Sequence, residues 1–195
     1  MTKVLLTGVG GNLGSHAFKW LLENTDWYII ATDSFKQSHT GRRKNIKNLI
    51  GREKLYQYDN QNRFELLEHD LTQPFDEHEI KYHLDLDYII NFASNYPKDN
   101  GKNDPESVWS NNTRLILNLL EFARKCPNLK GFYNQFYQPR INILYASLGA
   151  QNYLMLAYLN IFKIPITSFD LSINIVKYDD IEINKLIEYL RGLNS

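Results

Sequence analysis

The chain has 195 residues, 43% hydrophobic and 23% charged, the balance of a globular domain of ordinary size and not of a disordered or fibrous chain. Lys plus Arg and Asp plus Glu both number 22, so no bulk charge draws the chain to nucleic acid or to an acidic membrane, and neither is expected as a partner. The single cysteine, Cys126, excludes an intrachain disulfide and fits a reducing compartment; with neither a signal peptide nor an apolar run of the roughly 18 residues that span a bilayer, a cytoplasmic location is expected.

Residues 3–7 (KVLLT) predict a short strand closed by glycines, and residues 13–23 a helix with Leu13, Ala17, Leu21 and Leu22 towards one face. Residues 27–32 read as a second strand, 37–51 as a polar, basic loop leading into a weak helix, 63–68 as a third strand and 87–93 as a fourth. Asp104-Pro105-Glu106 opens a long helix to about Lys125, with Asp104 as N-cap, Pro105 in the first turn and Pro127 as the stop. Residues 129–133 give a fifth strand, 143–162 another long helix, 166–171 a sixth strand and 181–193 a last helix. Strands alternating with helices predict an α/β fold with a doubly wound parallel sheet.

The loop Thr7-Gly8-Val9-Gly10-Gly11-Asn12-Leu13-Gly14 joins the first strand to the first helix. Gly8 permits a tight turn, Gly11 lets the backbone approach a pyrophosphate, and Gly14 lets the helix pack against the strand. The helix start at Asn12 and Leu13 offers N–H donors and the positive end of a dipole. Asp33, at the end of the second strand, is placed to accept from an adenosine ribose hydroxyl. A carboxylate there repels the 2′-phosphate of NADP, so NAD is the expected cofactor and NADP the lesser one, Lys36 nearby being the residue that would soften the choice. The plainer reading of Asp33 is a turn residue at a strand end.

The chain resembles the extended short-chain dehydrogenase/reductase family, the NAD-dependent nucleotide-sugar epimerases and dehydratases, with the decarboxylases of UDP-glucuronate and the 4,6-dehydratases of dTDP-glucose as the nearest types. The spacing TGxxGxxG with His16 following, then Thr32-Asp33-Ser34-Phe35, Gly41-Arg42 and Asn45-Ile46, is similar to that family. So are Phe64 through Leu71 with Thr72 and Pro74, then Asn91-Phe92-Ala93-Ser94, then Asp104-Pro105 with Asn112 and Asn118-Leu119-Leu120-Glu121. The resemblance implies an NAD(P)-binding Rossmann fold over residues 1–176, with 177–195 the remnant of a substrate domain that is otherwise missing. It places Asp70 against the adenine, counts Leu71 among the cofactor-binding residues, and sets Phe92, Ala93 and Ser94 beside the cofactor. It also implies a nucleotide-sugar ligand and a homodimer through helices 105–125 and 143–162.

That family's chemistry needs a Tyr and, four residues later, a Lys whose ammonium keeps the phenol ionised as a base. Here the segment is Tyr145-Ala146-Ser147-Leu148-Gly149: the Tyr is present and Gly149 stands where Lys is expected. The family's fifth strand ends in a Ser/Thr pair, and here Asn134 and Gln135 stand there instead. The expectation is therefore an NAD-binding relative of these enzymes with weak or no standard activity. Two alternatives stand beside it: an active enzyme using Tyr145 as base with Asn134 or Gln135 holding the substrate oxygen, and one chain of a split enzyme. His16, His39, His69, His78 and His83 lack ligand spacing, so no metal site is expected. Arg42, Arg43, Lys44 and Lys47 read as a solvated basic cluster.

Overall fold

Val4, Leu5 and Leu6 form the centre of β1 (Lys3–Thr7) and are buried in a computed structural model of the chain. The structure describes residues 1–36, 42–76, 83–95, 99, 101–135, 143–169 and 192. β2 (Tyr28–Asp33) lies beside β1 in parallel, Leu5 opposite Ile30, and β3 (Phe64–Glu68) lies beside β2, Ile30 opposite Glu65. With β4 (Tyr88–Asn91), β5 (Gly131–Gln135) and β6 (Ile166–Phe169) they make a six-stranded sheet of order β3-β2-β1-β4-β5-β6. This is the doubly wound Rossmann order, in which the strand sequence reverses between β1 and β4 and ligands sit beyond the carboxyl ends of those strands.

The chain divides into two compact units, one of Met1–His69, Ile90–Ala93 and Leu171–Ser195, the other of Asp70–Ile89 and Ser94–Asp170. In the first, α1 (Asn12–Asn24) buries Leu13, Ala17, Phe18, Leu21 and Leu22, the face its spacing predicts. Phe18 meets Phe64 of β3 edge-on, centroids 5.4 Å apart. Each fully buried Leu or Phe of this face contributes about 1.5–3 kcal/mol. α2 (Arg42–Ile50) is the weak helix expected after the basic loop, and it buries Ile46 and Ile50. A further helix, α3 (Arg52–Asn60), follows Gly51 at φ +86°. The sequence reading missed it because it buries no residue and so carries no apolar periodicity to detect.

In the second unit, α4 (Pro105–Ala123) starts as predicted: Asp104 accepts from Ser107 N–H at 3.0 Å and Pro105 occupies the first turn. It ends at Ala123, ahead of Pro127, because the chain tightens into Lys125 N–H to Phe122 O at 2.9 Å and Cys126 N–H to Ala123 O at 3.0 Å. α5 (Ile143–Phe162) has the predicted bounds, and its Leu144 and Leu148 cluster with Val108 of α4. β5 lies two residues later than predicted. Lys130 and Gly131 N–H both donate to Asp87 O, and the ladder begins only beyond them. A two-residue shift keeps each side chain on its face, and it carries Asn134 and Gln135 into the strand. The predicted helix at 181–193 and the division at 176/177 fall outside the described residues, Gly192 aside. Among the described residues no helix is long and apolar enough to cross a membrane.

Candidate functional site

In the first unit the chain leaves β1 at Thr7 and turns at Gly8 with φ +72°, where Gly8 N–H donates to Thr32 O at 2.8 Å. A Cβ on Gly8 would come within 2.6 Å of Phe92 C and Ala93 N, so that position is fixed both by its left-handed backbone and by the chain leaving β4. A Cβ on Gly14 would land on Gly8 O. Gly14 is thus needed against the loop's own backbone, one step short of the strand contact expected from sequence. At Gly11 a Cβ would meet Gly8 O at 3.1 Å and no other described atom within 4 Å. Gly11 is the N-cap of α1, with no capping side chain and no acid in the first turn, and the positive helix end lies at Asn12 and Leu13.

Asp33 ends β2 and is 4% exposed. Its Oδ2 accepts from Gly10 N–H at 3.0 Å and its Oδ1 from Phe35 N–H at 2.9 Å, where Phe35 takes φ +50°. The carboxylate therefore bolts the glycine loop to the end of β2, a role the sequence reading offered only as a plain turn. Asn45 of α2 donates to Gly10 O at 3.0 Å and holds the loop from the other side. Thr7 Oγ1 donates to Asn91 Oδ1, which also accepts from Ala93 N–H at 3.1 Å. Phe92 N–H reaches Thr7 O at 3.2 Å. These bonds bring Phe92 and Ala93 against Gly8. Asn45 and Asn91 both lie in the segments that carried the family resemblance, but nothing in their spacing tells that they brace the loop.

The second unit holds Asp70, Leu71, Ser94 and Tyr145. Asp70 closes a turn: its Oδ1 accepts from Thr72 N–H at 3.0 Å and Thr72 Oγ1 at 2.8 Å, and Asp70 O accepts from Gln73 N–H at 2.8 Å. Asn118 of α4 donates to Leu71 O at 2.8 Å. Asn112, fully buried on α4, is a hub. It accepts from Asn95 N–H at 2.7 Å and donates to Asn95 O at 3.1 Å and to Ser147 Oγ at 2.9 Å. Gln151 Nε2 donates to the Asn112 carbonyl at 3.1 Å, and Gln151 Oε1 is buried without a partner. Ser94, next to the clamped Asn95, is half-buried.

Tyr145 lies on α5 and is 5% exposed; Asn134, on β5, is 1% exposed. One turn beyond Tyr145, a Cβ on Gly149 would meet no described atom within 4 Å. The histidines form no metal-binding group with acids or Cys126 among the described residues. His16 Nδ1 lies 2.8 Å from Asn12 O one turn back on its own helix, a local contact. Asn112 and Asn118 are the residues sequence reasoning passed over: both were noted as part of the matching helix, but which main-chain groups they hold is set by tertiary contacts 17 and 47 residues away.

The family model described as NAD dependent epimerase/dehydratase matches residues 4–139. Arabidopsis thaliana UDP-glucuronic acid decarboxylase 6 is 36% identical over 123 residues, which are 63% of this chain and 30% of that protein. The solved structure of UDP-glucuronic acid 4-epimerase from Bacillus cereus, in complex with UDP-glucuronic acid and NAD, is similar at a TM-score of 0.70 and 20% identity, over 86% of this chain and 55% of that one. The Streptomyces venezuelae dTDP-glucose 4,6-dehydratase DesIV, with NAD bound, is similar at 0.69 and 18%, over 87% and 55%. The chain thus spans 30% of the length of the curated relative and about half of the solved ones. At such identities the solved structures speak for the fold alone.

Proposed function

The chain belongs to the NAD-dependent epimerase/dehydratase family, and from that premise we propose that it binds NAD at its glycine loop and turns over nucleotide sugars weakly or not at all. Three features of the first unit support a dinucleotide there. Gly11 presents backbone without a side chain at a helix start that carries no acid. Asp33 is a buried carboxylate at the end of β2, held against the glycine loop by two main-chain donors. Phe92 and Ala93 close on Gly8 from the β4 side. Within this unit Gly8, Gly11, Asn12, Leu13 and Gly14 would hold the pyrophosphate, Asp33 the adenosine ribose, and Phe92 and Ala93 would lie beside the cofactor. The cofactor, when bound, supplies a hydride acceptor.

The observation that carries the low-activity reading is Gly149. The family sets a lysine one turn beyond this tyrosine, and here that position is a glycine. The hydroxyl the family places at the end of the fifth strand is replaced by the amides Asn134 and Gln135, and losing such a donor typically costs about 10²-fold in rate. The buried position of Tyr145 on α5 favours a second reading, an active epimerase or dehydratase with Tyr145 as base, alone or completed by a partner chain.

The experiment is to incubate the protein with NAD and a panel of UDP-, dTDP- and GDP-sugars, following nicotinamide absorbance and sugar products. No turnover is expected, with NAD bound more tightly than NADP in a calorimetric titration and raising the melting temperature by mass action. Turnover near one per second that vanishes in Tyr145→Phe restores the enzyme reading, and equal affinity for the two cofactors overturns the NAD assignment.

A homodimer through α4 and α5 belongs to the same proposal. Trp109 and Leu117 on α4, and Tyr153, Leu156, Ile161 and Phe162 on α5, are large apolar side chains left exposed. Light scattering that finds only a species near the 22.9 kDa of one chain overturns it. A cytoplasmic setting suits Cys126, whose thiol burial pushes up to about 12, leaving it inert and unpaired.

A further inference from the structure

Asn112 of α4 and Ser147 and Gln151 of α5 are 0%, 0% and 1% exposed, and they meet inside the second unit. Ser147 and Gln151 stand one turn apart on one face of α5. The protons of this joint can be followed one by one. The Asn112 amide carries two, and gives them to Asn95 O at 3.1 Å and Ser147 Oγ at 2.9 Å. The Ser147 hydroxyl carries one, and gives it to Leu144 O at 2.7 Å. Gln151 Nε2 donates to Asn112 O at 3.1 Å. That bond also fixes which way the Gln151 amide faces, because turning it over would set Oε1 against a carbonyl oxygen, acceptor to acceptor. Gln151 Oε1 is thus an acceptor buried in the joint, and among the described residues it meets no donor. The protons of Asn112 and Ser147 are already placed elsewhere, so neither side chain can supply one.

We propose that the joint between α4 and α5 binds one internal water molecule, which donates to Gln151 Oε1. A side-chain carbonyl shut away from solvent needs a hydrogen bond, and an internal water is the usual partner where protein donors run out. Water suits the site in its chemistry. It brings two donors to a joint that is short of donors and not of acceptors. Gln151 Oε1 takes one proton. Ser147 Oγ, one turn back on the same face, accepts a single bond, from Asn112, and a hydroxyl oxygen has room for two, so it would take the other. A cation could donate as well, but Asn112, Ser147 and Gln151 are all neutral, and a buried charge without a counter-charge is costly. The water completes a network that would otherwise be half satisfied, at the stretch of α5 that begins at Leu144 and carries Tyr145. The inference does not depend on whether the chain binds NAD.

The test is a high-resolution crystal structure of the full chain, unmodified and as Gln151→Met, from crystals grown without ammonium. Oxygen-17 relaxation dispersion in solution accompanies it and counts the waters held inside the protein. The unmodified crystal is expected to show water density roughly 2.5–3.0 Å from Gln151 Oε1. Methionine is close to glutamine in size and has no carbonyl to offer, so the variant is expected to lose that density, and the count in solution to fall by one water per chain. A Gln151 Oε1 that meets a protein donor in the crystal overturns the proposal. So does an absence of density within hydrogen-bonding distance of that oxygen in a map where other internal waters are clear. A Gln151→Met protein with the same number of long-lived waters as the unmodified one overturns it as well. Should Gln151→Met fail to fold, the crystal of the unmodified chain decides by itself.

Discussion

The glycine loop of the first unit and the Tyr145 helix of the second each set a glycine where the family resemblance makes a demand, and the surroundings of those glycines differ in kind. Gly8 and Gly14 are enclosed by main-chain atoms of Phe92, Ala93 and of the loop itself, and Gly8 sits at φ +72°. Gly149 lies mid-helix on α5, where a Cβ would meet no described atom within 4 Å. The first two are required by backbone geometry, so the architecture and the glycines stand or fall together. The third answers to no packing need among the described residues and carries the usual cost of a glycine inside a helix. The departure at Gly149 is thus a change of side chain within a regular helix.

The largest expected effect on that contrast comes from Gly8→Ala, which brings a left-handed penalty and a backbone clash together. It should lose roughly 3 kcal/mol or more in urea denaturation, and a cost below 1 kcal/mol would show that the loop yields and that the enclosure of Gly8 is not a constraint. Next comes Asn112→Leu, which removes the buried amide that holds Asn95 N–H and C=O and donates to Ser147 Oγ. A loss of about 2–3 kcal/mol is expected; thermal unfolding unchanged from the unmodified protein would mean that water replaces the clamp. Gly149→Ala should run the other way and stabilise by about 0.5–1 kcal/mol. Gly149→Lys should fold as well as the unmodified chain, and destabilisation by either variant would show a packing demand at 149 that the geometry does not reveal. The smallest effect is expected at the surface of α4. Glu121 accepts from Arg124 Nη2 at 2.6 Å and Tyr158 Oη at 2.5 Å, bonds that hold its carboxyl below the ordinary glutamate range. A lowered acid stabilises the fold when ionised, so the contribution is present above the ordinary glutamate range and lost as pH falls through the lowered value. Glu121→Gln should therefore cost about 0.5 kcal/mol or less near neutrality and nothing in acid, since the group is largely exposed; a difference that grows towards low pH would reverse the sign of this account.

The parts of the molecule that were legible in the sequence are those where a local pattern and a burial pattern coincide. β1 and α1 flank a glycine loop and bury the side chains their periods predict, and Asp104 with Pro105 marks the start of α4 as capping chemistry requires. α3 was illegible because helical backbone there is not accompanied by a buried face. The start of β5 was misplaced because Leu129 looks like a strand residue, while the hydrogen bonds of Lys130 and Gly131 to Asp87, which delay the strand, join distant parts of the chain. In the candidate site, glycine spacing revealed that a turn exists but not what encloses it. The bracing of the loop by Asp33, Asn45 and Asn91, and of the Asp70 turn by Asn118, depends on side-chain amides and carboxylates that look alike whether they face solvent or a buried carbonyl.

Phe92 and Ala93, which wall the turn at Gly8, reach it only when β4 joins β1, a contact that ties Thr7 to Asn91 across 84 residues. The β1–β2 pairing joins Thr7 to Thr32. Closing the longer loop costs about 1 kcal/mol more in chain entropy, since each doubling of loop length adds about 0.6 kcal/mol. Non-local parallel pairings also form late in folding. During synthesis, which proceeds from the N-terminus, β1, α1 and β2 can assemble while the wall of the turn is still unmade. The glycine loop therefore receives its finished shape only after residue 93 has emerged, and a nascent chain stopped short of that point would carry the glycine motif in full without the turn those glycines exist to make.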